Sequence, residues 1–397
     1  MKSEKPLVIY FTNESPALSY GLGTYTEQIK SVFSDLHTLD LICIKISVLV
    51  NEIEFNNTDG ISTYIFPDNQ NQNQLCNSLI YFFKHELSIT KSRHLIFHFN
   101  FPIHYFIALE AKKHFNVSFI YTLHYMDWCI ELGPNINNLK KILETHSENR
   151  IYKKFALEKA IMQISDRICV STEYSTHILK DFYNVNGSKI AIIPLPNSIP
   201  LRPKIQTDIC QIRDSFNLTE SEKIILFVGR LDKNKNLDTL IKAFLNLRRD
   251  DVFLWIIGGG DYRTYLNEVS DSSWKKIHFW GYRDKTFISR AFQVTDLGVV
   301  PSIYEEYGYV AVEFLCAGIP LIVNNTSGLA ELAKNVPQIY KFSDTSESLN
   351  LALESFFENY NGKFMSYNSL SVERFSINTF KRNILTVYND LINMSSI

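Results

Sequence analysis

Short runs of β-branched and aromatic residues alternate along this chain with longer segments of helical periodicity. This alternation is typical of doubly wound α/β folds, in which helices connect parallel strands. In the first half it predicts strands at Leu7–Phe11, Leu41–Val48, Ser62–Phe66, His94–Phe99, Ser118–His124, Arg167–Ser171 and Lys189–Pro194. It predicts helices near Thr24–Phe33, Leu75–His85, Ile103–His114, within Asn138–Ile164, and at Tyr174–Tyr183.

The second half repeats this architecture without repeating the sequence. Its strands are predicted at Lys223–Val228, Val252–Ile257, Lys276–Phe279, Leu297–Val300, Pro320–Val323 and Ile339–Phe342. Its helices are predicted at Leu237–Leu247, Tyr262–Ser270, Lys285–Gln293, Tyr309–Cys316, Leu329–Ala333, Glu347–Tyr360 and Ile377–Ile392. Between the halves, the proline-rich segment 196–203 excludes regular structure, so we place a domain boundary near residue 200.

The composition restricts the functional class and the compartment. With 40 Lys and Arg against 42 Asp and Glu, the charge gives no electrostatic case for a nucleic-acid partner. It also argues against general adhesion to anionic membranes, although peripheral contact through a local patch stays open. We expect no signal peptide and no membrane span, because the best candidate, Leu39–Val50, is short and contains Lys45. The six scattered cysteines form no CxxC pair, which favours a reducing cytoplasm over a zinc site or a disulfide framework.

The run from Pro301 to Pro320 carries the strongest chemical signal. Glu305 lies in the loop before a predicted helix, and Glu313 lies about one turn inside that helix, with seven residues between the two acids. A helix N-terminus offers unpaired N–H groups to a phosphate, and Gly308 permits close approach to the backbone. One acid is therefore placed to hold a sugar on the near side of a diphosphate, and the other a ribose on the far side.

A second signal follows the strand that ends at Gly229. Arg230 and Lys235 lie in a basic loop before an amphipathic helix, where charge-assisted hydrogen bonds could hold a diphosphate. Each pattern also has a plainer interpretation: a solvated helix face for the two acids, and a solvated basic loop for the two cations. For Gly258–Gly260, a tight turn without a ligand is the favoured interpretation.

Together these motifs resemble the Glu-x7-Glu and Gly-Arg-Leu…Lys patterns of retaining glycosyltransferases of family 4 (glycosyl transferases group 1). The resemblance implies the α/β GT-B fold, with two Rossmann-like doubly wound domains facing a central crevice. It implies an acceptor-binding domain at residues 1–200, a nucleotide-sugar-binding domain at 201–374, and a last helix at 375–397 that crosses back to the first domain.

The resemblance also implies roles for individual residues. Catalytic roles fall on Glu305, His124, Arg230 and Lys235. Donor contacts fall on Gly21, Gly23, Arg230, Lys235, Tyr282, Arg283, Glu305, Tyr307, Gly308, Tyr309, Val310 and Glu313. The glycines of Tyr20–Tyr25 are expected in a loop, and Thr26 at the third glycine position argues against a dinucleotide cofactor.

The resulting prediction is a metal-independent transferase without a cofactor that uses a nucleotide-diphosphate sugar, a UDP-sugar rather than a GDP-sugar. The acceptor stays open among a glycan, a lipid-linked saccharide, a small molecule and a peptide. Alternatives are another GT-B enzyme, such as a nucleotide-sugar epimerase or a phosphorylase, or an inactive accessory subunit. We expect a cytoplasmic protein, with peripheral contact at the inner face of the membrane possible.

Overall fold

A computed structural model describes residues 5–14, 21–34, 36, 38–145, 149–200, 206–266, 273–336, 339–360 and 373–394. The chain divides into two compact units. The first unit comprises residues 1–131, 135–195 and 377–397, and the second comprises residues 132–134 and 196–376. None of the helices within the described ranges is both long enough and apolar enough to cross a membrane.

The first unit contains an eight-stranded sheet in the order β3-β4-β2-β1-β5-β6-β7-β8. Its strands are β1 (Leu7–Asn13), β2 (Asp40–Ser47), β3 (Glu54–Thr58), β4 (Ile61–Pro67), β5 (Leu95–Phe99), β6 (Val117–Thr122), β7 (Arg167–Val170) and β8 (Ile190–Ile192). Every neighbouring pair is parallel except β3 and β4, which form an antiparallel hairpin. The strand order reverses between β1 and β5, so the loops after these two strands diverge at the carboxyl edge of the sheet.

The second unit contains a six-stranded, fully parallel sheet in the order β11-β10-β9-β12-β13-β14. Its strands are β9 (Lys223–Val228), β10 (Val252–Ile257), β11 (Ile277–Gly281), β12 (Leu297–Val300), β13 (Leu321–Asn324) and β14 (Ile339–Phe342). Here the order reverses between β9 and β12, the two strands whose following loops carry the predicted cations and Glu305.

Helices connect the strands in both units. Those of the first unit are α1 (Gly21–Phe33), α2 (Gln72–His85), α3 (Tyr105–His114), α4 (Asp127–Leu132), α5 (Ile136–Thr145), α6 (Arg150–Ile164) and α7 (Glu173–Asp181). Those of the second unit are α8 (Gln206–Ser215), α9 (Leu237–Asn246), α10 (Arg263–Leu266), α11 (Lys285–Val294), α12 (Tyr309–Cys316), α13 (Ser327–Leu332) and α14 (Ser346–Asn359). The last helix, α15 (Ile377–Met394), belongs to the first unit, where it packs against α1.

The core of the second unit explains why its central elements form. β12 is buried along its whole length, as its uninterrupted apolar sequence requires. Helix α9 buries Leu237, Leu240, Ile241 and Phe244, which recur at helical spacing. A Cβ at Gly298 would lie 2.7 Å from the Phe314 ring, so this glycine allows α12 to lie directly on β12.

Several details differ from the expected elements. The strand β3 was not predicted, because all five of its residues are exposed and show no apolar alternation. The long helix expected within Asn138–Ile164 is divided, since α5 ends at Thr145 and Asn149 caps a new helix through Ile151 N–H. The helices α4 and α8 were also not predicted. Finally, α10 covers only the start of the helix expected at Tyr262–Ser270, and residues 267–270 lie outside the described part of the chain.

Candidate functional site

The loop after β9 is built around its close contact with the loop after β10. Gly229 N–H donates to Ile257 O at 3.0 Å, and Leu231 N–H donates to Gly259 O at 2.9 Å. A Cβ on Gly258 would lie 1.7 Å from the carbonyl oxygen of Gly229. Gly258 therefore makes room for a neighbouring protein loop, which agrees with the expected tight turn.

The same loop places Lys235 at the carboxyl edge of the sheet. The side chain of Asp232 caps a short 3₁₀ turn by accepting from Lys235 N–H at 3.2 Å. Asn236 then adopts a left-handed conformation, with φ 53° and ψ 38°. This is a conformation that Asn tolerates, and it allows α9 to begin at Leu237 immediately afterwards.

The predicted residues Lys235 and Glu305 come together. The Lys235 ammonium forms an ion pair with the Glu305 carboxylate, and their side chains are 21% and 15% exposed, respectively. Ser302 Oγ also donates to Glu305 Oε1, at 2.9 Å. Two donors therefore fix this carboxylate in the loop that follows β12.

Arg230 lies in the same loop as Lys235 but is more exposed. Its guanidinium pairs with Asp232 at 2.9 Å, and the two side chains are 41% and 37% exposed. Both predicted cations thus lie at the carboxyl edge of β9, each beside a carboxylate that lowers the local positive charge.

Asn234 joins the two loops, a role that sequence reasoning missed. Its side chain donates to Tyr304 O at 2.9 Å and accepts from Tyr304 N–H at 3.1 Å. Its backbone carbonyl accepts from Ile303 N–H at 2.8 Å. These three bonds hold the Lys235 loop against the Glu305 loop. Asn234 could have been suspected only from its position between Lys233 and Lys235, and the supporting role of Ser302 left no sequence signal.

The helix α12 begins between the two acids, after Glu305 and before Glu313. Gly308 precedes it with φ 82°, a left-handed conformation that other residues rarely adopt, and a Cβ there would lie 2.9 Å from Leu329. Tyr309 and Val310 form the first turn and are partly exposed, whereas Tyr307 is buried beside Phe375. Tyr309 and Val310 are therefore the accessible part of this segment.

Glu313 is much less accessible than Glu305. It is 6% exposed, its carboxylate accepts a hydrogen bond from Ser198 Oγ, and burial raises its pKa. A ribose at this carboxylate would replace the Ser198 hydroxyl as its hydrogen-bond donor.

Neighbouring segments complete the same edge of the second unit. Gly328 N–H, in the first turn of α13, donates to Glu305 O at 3.0 Å, and Thr326 Oγ1 donates to Ile303 O at 2.9 Å. Tyr282 and Arg283 follow β11, the outer strand; Tyr282 is 62% exposed, and the Arg283 guanidinium lies 5.1 Å from the centre of the Phe287 ring.

The remaining predicted residues belong to the first unit. Gly21 and Gly23 lie in the first turn of α1, so their placement in a loop was wrong: the helix begins three residues earlier than expected. His124 follows β6, and its Nε2 lies 2.7 Å from Asn100 Oδ1. Burial lowers the pKa of His124 to about 3.

A buried polar network that the sequence did not reveal surrounds this histidine. His98 Nε2 lies 2.7 Å from Thr122 Oγ1, and His98 Nδ1 lies 2.8 Å from the Tyr388 hydroxyl on α15. Burial lowers the pKa of His98 to about 3, with the neighbouring His124 acting in the same direction. The Tyr25 ring meets His124 edge to face at 4.8 Å. His98 and His124 are therefore both neutral at pH 7.

A family model and several known proteins match parts of this sequence. The family described as Glycosyl transferases group 1 matches residues 208–369. An uncharacterised glycosyltransferase of Methanocaldococcus jannaschii is 36% identical over 126 residues, which are 31% of this chain and 32% of that protein. The chain covers less than two thirds of the length of the curated relatives that it matches, 32% of this one and 40% of a D-inositol 3-phosphate glycosyltransferase of Mycobacterium sp. strain KMS.

Solved structures share the fold over nearly the whole chain. Sucrose-phosphate synthase from Thermosynechococcus elongatus has a TM-score of 0.76 at 15% identity, covering 98% of this chain and 100% of that one. HepE of Anabaena, solved in complex with UDP and glucose, has a TM-score of 0.71 at 13% identity, covering 97% and 100%. The chain therefore has the GT-B fold of two α/β domains, and residues 208–369 of its second unit match the family Glycosyl transferases group 1.

Proposed function

We propose that this protein is a retaining glycosyltransferase that moves a sugar from a nucleotide-diphosphate sugar to an acceptor. The observation that carries the proposal is the contact between Lys235 and Glu305 beside the start of α12. It joins a cation suited to phosphate and a carboxylate suited to sugar hydroxyls at the point where the strand order reverses. This is the place in a parallel α/β sheet where ligands bind.

The leaving diphosphate is assigned to Arg230, Lys235 and the N-terminus of α12. The charge on this group grows as the glycosidic bond breaks, and fixed positive charges that meet it lower the barrier most effectively. Backbone N–H groups at a helix N-terminus add to this stabilisation. Gly308 allows the left-handed turn after which these N–H groups begin.

The two acids receive separate tasks. Glu305, held by Ser302 and Lys235, binds hydroxyls of the transferred sugar. Glu313, deeper on α12, binds the donor ribose in place of its present contact with Ser198. The backbone of Tyr307, Gly308, Tyr309 and Val310 positions the sugar and the phosphates between these acids.

We assign a UDP-sugar as donor, with the base beside Tyr282 and Arg283. Structures that share the fold hold UDP, as in HepE, or ADP, as in starch synthase IV of Arabidopsis thaliana, which supports a nucleoside diphosphate as the leaving group. A metal-independent reaction is proposed because no Asp-x-Asp triplet occurs in the sequence to hold a divalent ion beside the phosphates. A reducing, cytoplasmic location is supported by the six free cysteines.

Donor binding and turnover test this proposal separately. Thermal unfolding with UDP, GDP and ADP should show the largest stabilisation with UDP, about 2.7 kcal/mol at a hundredfold excess over Kd. Turnover of UDP-glucose and related UDP-sugars should persist in excess EDTA, and product NMR should show that the donor's α configuration is kept. Binding of none of these nucleotides would contradict the donor class. A β-linked product would contradict the retaining reaction, and loss of activity in EDTA that Mg²⁺ restores would contradict metal independence.

A further inference from the structure

The outer strand of the sheet in the second unit, β11, runs along an open cleft. Residues 277–280 of this strand line the cleft together with Tyr262, Leu266 and Trp274, and its volume is about 360 Å³. This volume lies in the lower part of the range for small-molecule sites. Among the described residues that line the cleft, none is a residue to which the proposed function assigns a donor contact. The cleft is therefore a second candidate site.

Aromatic rings form much of the wall of this cleft. The Tyr262 ring stacks on the Phe279 ring, with centres 5.6 Å apart and planes inclined by 23°, and the Trp274 ring lies 5.9 Å from the Phe279 ring. His278 and Trp280, which alternate with Phe279 along the strand, stack on each other with centres 6.3 Å apart. Tyr262 is 43% exposed, so Phe279 covers one face of its ring and the other face is accessible to a ligand.

The charges around the cleft favour an uncharged ligand. Of the residues that the structure describes, those lining the cleft include no Lys, Arg, Asp or Glu. Two cations nearby in the sequence already have carboxylate partners: Lys276 lies 2.6 Å from Asp250, and the Arg263 guanidinium pairs with Asp261. The lining therefore offers no fixed charge to a phosphate or a carboxylate.

The edge of β11 is a poor template for an added peptide strand. Its pairing with β10 loses register at Trp280, because Ile256 pairs with Phe279 and the next residue, Ile257, pairs with Gly281. A bulge of this kind leaves one residue unpaired and increases the local twist, and sheet edges are protected from strand addition in this way.

A pyranose ring has the chemistry that this cleft accepts. One face of a pyranose consists of C–H bonds, which pack on the electron-rich face of an aromatic ring. Its hydroxyl groups can exchange hydrogen bonds with the Tyr262 hydroxyl and with the ring nitrogens of His278. Neither interaction needs a charge on the ligand.

We propose that this cleft binds a neutral saccharide chain, with one pyranose ring stacked on Tyr262. The inference goes beyond the proposed function and rests on it only for the choice of a saccharide among uncharged ligands. The cleft holds the saccharide without taking part in the transfer reaction.

Titration of the intact chain with maltotetraose and with cellotetraose, followed by tryptophan fluorescence, tests the site. At least one of these neutral oligosaccharides should bind saturably. Tyr262→Ala should weaken that binding about twofold to tenfold, the range for one aromatic stacking contact, and Tyr262→Phe should recover most of the affinity because it keeps the ring. Tyr81→Ala is the matched control, since Tyr81 is an exposed tyrosine of the first unit whose ring packs on His85. Equal Tm values would show that the variants fold.

Four results would overturn the inference. They are no binding of either oligosaccharide, equal affinity in Tyr262→Ala and the wild type, displacement of the oligosaccharide by UDP, and displacement by a neutral peptide of alternating threonine and valine. The third would make the cleft part of the donor site, and the fourth would make it an edge for strand addition. A wild-type protein that binds no nucleotide would instead contradict the proposed function, and the oligosaccharide titration would still decide the role of the cleft.

Discussion

The ammonium group of Lys235 pairs with the carboxylate of Glu305, although the two residues lie in loops that follow different strands, β9 and β12. Asn234 holds these two loops together through its hydrogen bonds to Tyr304. In the proposed reaction the two side chains have different roles, since Lys235 binds the diphosphate and Glu305 binds the sugar. The ion pair therefore positions both groups before the donor arrives.

Removing Lys235 should weaken nucleotide binding more than removing Arg230. Loss of a hydrogen bond to a charged group costs about 1.5–3 kcal/mol, or roughly tenfold to a hundredfold in affinity. Lys235→Ala should lie at the upper end, because it also removes the cation that balances the Glu305 carboxylate beside the diphosphate. Arg230→Ala should lie at the lower end, because Arg230 is more exposed and already pairs with Asp232. Calorimetric titration with UDP measures both affinities.

The matched control for this experiment is Lys233→Ala. Lys233 belongs to the same 3₁₀ turn and has the same charge, but its side chain is exposed. UDP affinity should change little in this variant. An equal loss in Lys233→Ala and Lys235→Ala would mean that only the net charge of the loop matters, and would contradict a direct phosphate contact.

Replacing Glu313 and replacing Glu305 should have different effects on nucleotide binding and on turnover. Glu313→Ala should weaken UDP and UDP-glucose alike, because the ribose is common to both. Glu305→Ala should leave UDP affinity nearly intact, since Lys235 is then free of its carboxylate partner, while turnover is lost. Ser198→Ala is the control for Glu313, because it removes the hydroxyl beside that carboxylate and keeps the acid. Equal losses of UDP affinity in the two Glu variants would reject this division.

Buried strands and long amphipathic helices were predictable from sequence. The bounds of β9, β10, β12 and β14 agree with the expected ranges, because continuous apolar runs bounded by turn residues leave few alternatives. The strand β3 escaped prediction because its side chains are exposed. Its only signal was the turn at Asp59 and Gly60, which have φ angles of 51° and 80° and suit a two-residue hairpin.

The candidate site was predictable to the extent that its chemistry lies in the side chains. Glu305 and Lys235 could be named because carboxylate and ammonium groups in those loops suggest a ligand. Asn234 could not, because its role depends on where two loops separated by about 70 residues approach each other. The order of β9 and β12 in the sheet sets that approach, and local sequence does not encode it.

Glu158 should make the stability of the first unit depend on pH. It is buried on α6, it accepts from Asp127 N–H at 2.8 Å and from the Tyr183 hydroxyl at 2.5 Å, and burial raises its pKa from 4.5 to about 7. The folded state therefore binds this proton more tightly than the unfolded state. The stability that it contributes is present below pH 4.5 and is lost as the pH rises to about 7.

Glu158→Gln tests this dependence, because an amide of the same shape cannot ionise. Urea unfolding should show the variant gaining stability relative to the wild type by roughly 2–3 kcal/mol between pH 5 and pH 8. Glu144→Gln, at an exposed position on α5, serves as the control and should show no such trend. A constant difference between Glu158→Gln and the wild type across this range would show that Glu158 has an ordinary pKa.

Gly328→Ala should lower the stability of the protein, whereas replacing a glycine in a helix by alanine usually raises it. In an ordinary helix this change stabilises by about 0.5–1 kcal/mol. Here the new Cβ would lie 2.1 Å from the carbonyl oxygen of Glu306, so α13 must move away from the Glu305 loop. We expect a loss of about 1–3 kcal/mol in stability together with lower turnover, because Glu305 shifts from its contacts with Ser302 and Lys235. Gly187→Ala is the control, since its Cβ would meet only the flexible end of Lys180. Urea unfolding and UDP-glucose turnover of both variants check the prediction, and a Gly328→Ala protein as stable as the wild type would contradict the close approach of α13 to this loop.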